Sequence, residues 1–296
     1  MRVFVTGATG FVGSAVVQAL LQAGHQVLGL ARSEASAQAL TAAGADVHRG
    51  SIEDLQSLAS GAAQADGVIH TAFIHDFSQF LENCEKDRLA IGALGAALKG
   101  TDKPLIVTSG TALVSNGHLA TENDLPDPQG QNPRIASDRA AAALAEQGVH
   151  VSLVRLPPSV HGAGDHGFVP MIIAMAREKG ESAYIGAGQN LWPAVHRLDA
   201  ARVFVLALEK RASNAIYHAN SEQGVPFREI ATLIGKHLNL PVLSKNAQEA
   251  GEHFGWFTHF ASLNNPTSSQ ITREVLGWKP EHQDLLTDID TAGYFK

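Results

Sequence analysis

The chain opens on Val3-Phe4-Val5, a β-branched and aromatic run without polar alternation, which is the pattern of a strand buried on both faces. Gly7 and Gly10 break the run, and an apolar, helix-favouring segment from Phe11 to Leu21 follows. Gly24 ends that helix, and His25 to Ala31 reads as a second strand. The couplet then repeats. Asp46 to His48 reads as a third strand, with a helix over Ile52 to Ala63 behind it. A fourth strand, Gly67 to His70, runs on to Thr71-Ala72-Phe73, and a long helix covers about Ser78 to Leu98. Leu105 to Thr108, a helix from about Arg134 to Gln147 and a strand from Val149 to Arg155 complete the series. Short apolar runs alternating with helical segments predict an α/β fold with a doubly wound parallel sheet, covered on both faces. The stretch Ala112 to Pro133 is polar and rich in Gly, Asn, Asp and Pro, too long for a plain connection, and predicts a functional loop.

The rhythm changes at Pro157-Pro158. A glycine-rich loop (Gly162 to Gly167), a helix around Phe168 to Glu178 and an irregular stretch to Trp192-Pro193 follow. Asp199 to Lys210 reads as a helix and Ala215 to His218 as a strand, with further helices over about Phe227 to Leu238 and Gln248 to Phe257. The division predicted is a nucleotide-binding domain over residues 1–160. Residues 161–296 then form mainly a smaller substrate-binding cap, with some elements returning to the core.

Composition narrows the classes. The 296 residues are 45% hydrophobic and 17% charged, ordinary for a globular chain with a core. A net charge of −7 supplies no basic stripe for phosphate neutralisation, so no nucleic-acid partner is expected. The single cysteine, Cys84, lies between Glu82 and Glu85 and reads as a small buried apolar residue in a reducing compartment. The apolar run after Arg2 is broken too early for a signal peptide, and no stretch is long enough to span a bilayer. These features predict a cytoplasmic monomer or homodimer with no membrane partner. The fourteen histidines raise the question of a metal, but neither His-Glu-x-x-His nor paired-cysteine spacing occurs, and none is expected.

The first glycines carry the chemistry. Gly7 suits the tight turn off a strand, Gly10 a close backbone approach to a pyrophosphate, and Gly13 close packing of helix on strand. The helix start adds free N–H donors and partial positive charge. Gly7, Thr9, Gly10, Phe11, Val12 and Gly13 are therefore the expected cofactor cradle. At the tip of the second strand stand Arg32 and Ser33, with Glu34 one step beyond. A guanidinium there suits a 2′-phosphate, which favours NADP, with NAD as the other possibility. The alternative is an exposed Arg32 at the start of a helix.

With these pieces in order the chain resembles the short-chain dehydrogenase/reductase superfamily in its extended, NAD-dependent epimerase/dehydratase-like form. The resemblance rests on Thr6 to Gly13, Ile69 to Ala72, Val107 to Thr111, Arg155 to Gly162, Val195 to Ala201 and Leu276 to Pro280, which span nearly the whole chain. It implies a Rossmann fold, with Thr71, Ala72, Phe73 and Pro157 beside the cofactor. It also implies a Ser or Thr after the fifth strand, then a Tyr and a Lys on the next helix. Here Arg134 takes the Tyr position and Asp138 the Lys position, and no tyrosine occurs before Tyr184, which makes the chain an atypical member. Ser109 and Thr111 remain as hydroxyls for a substrate carbonyl, Arg134 as a fixed cation, and His75 as an acid near neutrality. The pair His75-Asp76 reads equally as a helix cap in which Asp76 does the capping. His161 stands where the superfamily often has Tyr; His196 and Asp199 match a motif that is mostly structural. Trp192 and Tyr184 line an apolar pocket or belong to the core. Three readings stay open: a reductase or dehydrogenase of a small carbonyl or alcohol, an epimerase or dehydratase with bound NAD(P), and a non-catalytic NADP-binding regulator.

Overall fold

Every apolar run named above becomes a strand of one seven-stranded sheet. The computed structural model describes residues 1–115, 117–291 and 293–295. The first strands are β1 (Arg2–Thr6), β2 (Gln26–Ala31), β3 (Asp46–Arg49), β4 (Gly67–His70), β5 (Leu105–Gly110) and β6 (Val151–Leu156). β7 (Ser159–His161), β8 (Ser182–Ile185) and β9 (Leu191–His196) lie in the cap, and β10 (Ala215–His218) returns to the sheet. The order β10-β6-β5-β4-β1-β2-β3 is parallel throughout. The order reverses between β1 and β4, the crevice where open α/β sheets take ligands.

Helices cover both faces. α1 (Phe11–Gln22), α2 (Glu34–Ala42), α3 (Leu55–Ala63), α4 (Phe80–Leu98), α5 (Ile135–Glu146), α6 (Phe168–Lys179) and α7 (Arg197–Lys210) come first. Val16, Val17 and Leu20 of α1 share one core cluster with Val203, Phe204 and Leu208 of α7, so α7 belongs to the sheet and not to the cap. Leu58 of α3, Ile91 and Leu94 of α4 and Leu144 of α5 fill the opposite face. Each such buried aliphatic side chain contributes about 1.5–3 kcal/mol.

The cap holds more sheet than its sequence suggests. β11 (Glu222–Pro226) joins β9 and β7, while β12 (Val242–Lys245) pairs with β8. β11 and β12 are short and partly polar, and β11 carries Gly224 and Pro226, so neither shows an apolar run. α8 (Phe227–Leu238), α9 (Ala247–Phe254), α10 (Thr258–Ala261), α11 (Gln270–Leu276) and α12 (Leu285–Thr291) finish the chain. The helix expected to reach Phe257 stops at Phe254, because Gly255 takes φ +53°. α11 and α12 are held from outside: Glu122 accepts from both the backbone N–H and the hydroxyl of Thr272, and Glu222 accepts from Leu285 N–H at 2.8 Å. Trp192 is fully buried among Phe227, Phe257 and Ile172, a core residue of the cap. Tyr184 lies under the Arg228 guanidinium at 5.3 Å. Among the described residues no helix is long and apolar enough to cross a membrane.

Candidate functional site

Between Thr6 and Phe11 the chain must reverse from strand to helix within a few residues. Gly7 does so at φ +65°, and a Cβ there would stand 2.6 Å from Ala72 N. Gly13 is as tightly placed: its Cβ would fall 2.0 Å from the Gly7 carbonyl oxygen and 2.8 Å from Thr71 Oγ1. The exit of β4 and the first turn of α1 thus both press on Gly7. Gly10 differs. Its N–H donates to the Gly7 carbonyl at 2.9 Å, it is exposed, and a Cβ would meet only that oxygen, at 3.2 Å. As the N-cap of α1 it brings no side-chain acceptor, so the first turn of that helix is left without a side-chain cap. A tight turn, an uncapped helix start and an open approach over Gly10 fit a dinucleotide pyrophosphate. Thr71 donates its hydroxyl to the Thr6 carbonyl at 2.7 Å, and Pro157 is buried at the end of β6.

At the tip of β2, Arg32 is exposed, and the Ser33 hydroxyl accepts from Ser36 N–H as the cap of α2. A second cation stands here that the sequence did not single out. Arg49, at the end of β3, donates to the Ser33 carbonyl at 3.1 Å and to Glu34 at 2.5 Å.

The ends of β1, β4 and β5 meet over a buried carboxylate. Asp87, fully buried on α4, accepts from His70 Nε2–H at 3.0 Å and from the Ser137 hydroxyl at 2.6 Å, and forms an ion pair with Arg134. Thr6 Oγ1 lies 2.7 Å from the other nitrogen of His70. Burial pushes the Asp87 carboxyl up, but the Arg134 charge and the bonds from His70 and Ser137 outweigh it and hold it at about 2. Arg134 also donates to the Thr108 carbonyl at 3.0 Å, and its guanidinium lies 4.4 Å over the Phe73 ring. It is therefore neither a free surface cation nor a mobile one. Asp87 was missed because nothing in a helical run marks one carboxylate as buried; the only signal was a His at a strand end.

Asp138, at the position of the implied Lys, turns the other way. It accepts from the Ser109 hydroxyl and, at 3.2 Å, from Arg155, which is wholly buried on β6. Thr111 is also wholly buried, and its hydroxyl donates to Asn265 at 2.7 Å. Ser109 and Arg134 are thus drawn into neighbouring networks at the strand ends, while Thr111 faces the segment before α11. His75 sits on the connection from β4 to α4, its ring 5.2 Å from that of Phe73. Its ring is exposed, yet the crowding of neighbouring protein atoms first, and then the Arg134 charge, lower its pKa below 6.5. Asp76 does not pair with it; it caps the next turn, accepting from the Ser78 N–H and hydroxyl.

The cap closes the other side. Arg197, at the start of α7, donates to the Ala163 carbonyl at 3.0 Å and lies 4.9 Å over the Phe11 ring, while His166 meets that ring edge-on at 5.6 Å. His161 is buried with Nδ1 2.9 Å from Asp288, and Asp199 accepts from the backbone of Glu281 and His282, so both serve the packing of the C-terminal segment. Cys84 is buried, and desolvation raises its thiol to about 11. Among the described residues no group of three or more His, Cys, Asp or Glu side chains is placed to hold a metal ion.

The chain is similar over its full length to the uncharacterized protein C2A9.02 of Schizosaccharomyces pombe, at 55% identity over 297 residues, covering 100% of both. More distantly, it is 28% identical over 245 residues to the 4-hydroxy-2-methyl-3-oxo-4-farnesyl-3,4-dihydroquinoline-1-oxide ketoreductase of Stigmatella aurantiaca, covering 79% of this chain and 72% of that one. In fold it is similar to DesIV, a dTDP-glucose 4,6-dehydratase from Streptomyces venezuelae solved with NAD bound, at TM-score 0.79 and 20% identity over 100% and 97% of the chains. The profile of the NAD dependent epimerase/dehydratase family matches residues 3–219, from the glycine turn through the returning strand β10. With the turn, the uncapped helix and the seven-stranded sheet all inside that match, the chain belongs to the NAD dependent epimerase/dehydratase family, whose members bind NAD(P).

Proposed function

We propose that the protein is an NADP-dependent oxidoreductase that reduces a small carbonyl compound or oxidises the matching alcohol. One observation carries this reading: the Arg134 guanidinium, fixed by Asp87 and the Thr108 carbonyl, stands over Phe73 where β4 leaves the sheet. A fixed cation at that point suits the negative charge that develops on a carbonyl oxygen during reduction. The similarity to a ketoreductase supports the same reading. When bound, the cofactor supplies or accepts the hydride. The N–H groups at Phe11, Val12 and Gly13 hold its diphosphate, with Gly7, Thr9 and Gly10 shaping the approach. Arg32, helped by Arg49, holds the 2′-phosphate, and Thr71, Ala72, Phe73 and Pro157 border the nicotinamide half.

Arg134 releases no proton at neutral pH. His75, held below its ordinary pKa, is largely neutral there, so it accepts a proton during alcohol oxidation and donates one only in more acidic solution. Water is the other donor for reduction. The Ser109 hydroxyl gives its one hydrogen to Asp138, so it is not a donor to the carbonyl. NADPH consumption across a panel of aldehydes and ketones tests the reading. Arg134→Met also leaves Asp87 uncompensated, so in protein shown by circular dichroism to be folded it should lower kcat by about 10²-fold, as losing one stabilising donor does. A second reading, a cofactor-binding regulator, is favoured by the commitment of the Ser109 and Thr111 hydroxyls to Asp138 and Asn265. Tight NADPH binding with no consumption across the panel selects it.

A further inference from the structure

Opposite Arg134 the connection from β4 to α4 meets the cap through aromatic rings. Phe77 stacks on Trp256 at 5.0 Å and 24°, approaches Phe260 at 5.9 Å and Phe168 at 6.1 Å, and lies 5.8 Å from Phe80, whose ring is 6.2 Å from Phe73. The rings therefore run without a gap from Phe73, under the Arg134 guanidinium, to the outer surface of the cap. Phe73, Phe77, Phe168 and Phe260 are each only partly buried, and Trp256 is 54% exposed, whereas Trp192 and Trp278 are 0% and 1% exposed. A wall of large apolar side chains left partly open beside a ligand crevice marks a binding surface.

The polar groups around it argue against a sugar. Recognition of sugar hydroxyls draws on free side-chain donors, and among the described residues three hydroxyls at and after the end of β5 spend their hydrogens within the protein. Ser109 donates to Asp138, Thr111 to Asn265, and Ser115 to the Asn264 carbonyl at 2.5 Å. What this end of the crevice offers is the Arg134 guanidinium over Phe73 and a continuous aromatic face. From this juxtaposition we infer that the substrate is a carbonyl compound with an apolar ring system, its oxygen toward Arg134 and its hydrocarbon body against Phe77 and Trp256. The inference rests on the carbonyl-reductase reading for the oxygen end. The wall itself is tested without turnover.

Trp256 is the reporter, because its indole is the one open to an aqueous quencher. Iodide quenching of the NADP⁺-loaded protein is followed as trans-2-decalone, dihydroxyacetone or UDP-glucose is added, with calorimetry for affinity. Decalone should shield Trp256 and bind at least tenfold more tightly than dihydroxyacetone. Phe77→Ala should weaken decalone binding by about tenfold, the scale of losing one aromatic contact face. Phe77→Leu, which keeps apolar bulk should the alanine variant fail to fold, should weaken it less. Shielding of Trp256 by UDP-glucose and not by decalone overturns the inference, as does decalone binding that leaves Trp256 open and ignores both Phe77 variants. Shielding by decalone without any NADPH oxidation upholds the wall and defeats the hydride-transfer reading instead.

Discussion

Replacing Asp87 by Asn removes the charge on which the strand-end network turns. The carboxyl is fully buried and is held at about 2 against an ordinary 3.8, chiefly by Arg134 acting against the cost of burial. That difference corresponds to about 2 kcal/mol of stability from Asp87 ionisation alone. The substitution also strands the Arg134 guanidinium, and breaking a buried ion pair costs about 3–5 kcal/mol. Arg134 is 15% exposed in its side chain and regains some water, which places the loss at the lower end, about 3 kcal/mol. For a chain of 296 residues the thermal midpoint should fall by about 5 °C. The sign of the pH effect follows from the depressed pKa. The stabilisation is fully present above the unfolded value and is lost as the pH falls toward the folded one. Urea unfolding followed by circular dichroism should therefore show a constant gap between wild type and Asp87→Asn above about pH 5, narrowing from about pH 4 downward. A gap that stays constant to about pH 3, or no gap at neutral pH, would refute the network as described.

Gly10→Val should fold and lose NADPH binding by calorimetry, since its side chain enters open space over the cradle. Gly13→Ala should destabilise the fold itself, because its Cβ falls 2.0 Å from a backbone oxygen. Arg32→Ala should erase a preference for NADPH over NADH in paired titrations; a preference that survives unchanged removes Arg32 as the reader of the 2′-phosphate. Arg134→Tyr with Asp138→Lys, which would restore the superfamily pair and from sequence alone promises activity, should instead melt well below wild type. It leaves Asp87 uncompensated and sets a second cation against buried Arg155.

The sheet was readable because parallel strands are buried on both faces and appear as unbroken apolar runs, as in Val3-Phe4-Val5 or Leu105-Ile106-Val107. The glycine turn was readable because Gly7 and Gly13 sit where no Cβ fits, a demand that only one residue type meets. The cap strands were not readable: β7, β8 and β12 are three or four residues long, and β11 carries a glycine and a proline. Arg134 and Asp138 were legible as departures from the superfamily pattern, but their partners were not. Asp87 and Arg155 come from other elements, 47 and 17 residues away, and a buried charge looks like any other charge until the fold brings its partner to it. Phe77 and Trp256 likewise meet across more than half the length of the chain.

The placement of β10 bears on how the molecule is made and how it moves. Ala215 pairs with Ser152, so the outermost strand of the sheet reaches its place only after most of the first cap segment has been synthesised. Until then β6 is a bare parallel edge, and a fragment cut near Pro158 would expose it to intermolecular pairing. Pairings this remote in sequence slow folding, since a long loop must close before any contact rewards it. The same weave limits motion. The chain leaves the sheet after β6, comes back as α7 and β10, and leaves again, so the cap is stitched to the nucleotide core at several points. Opening to admit a ligand must then proceed by small sliding between packed helices, not by the swing of a single hinge.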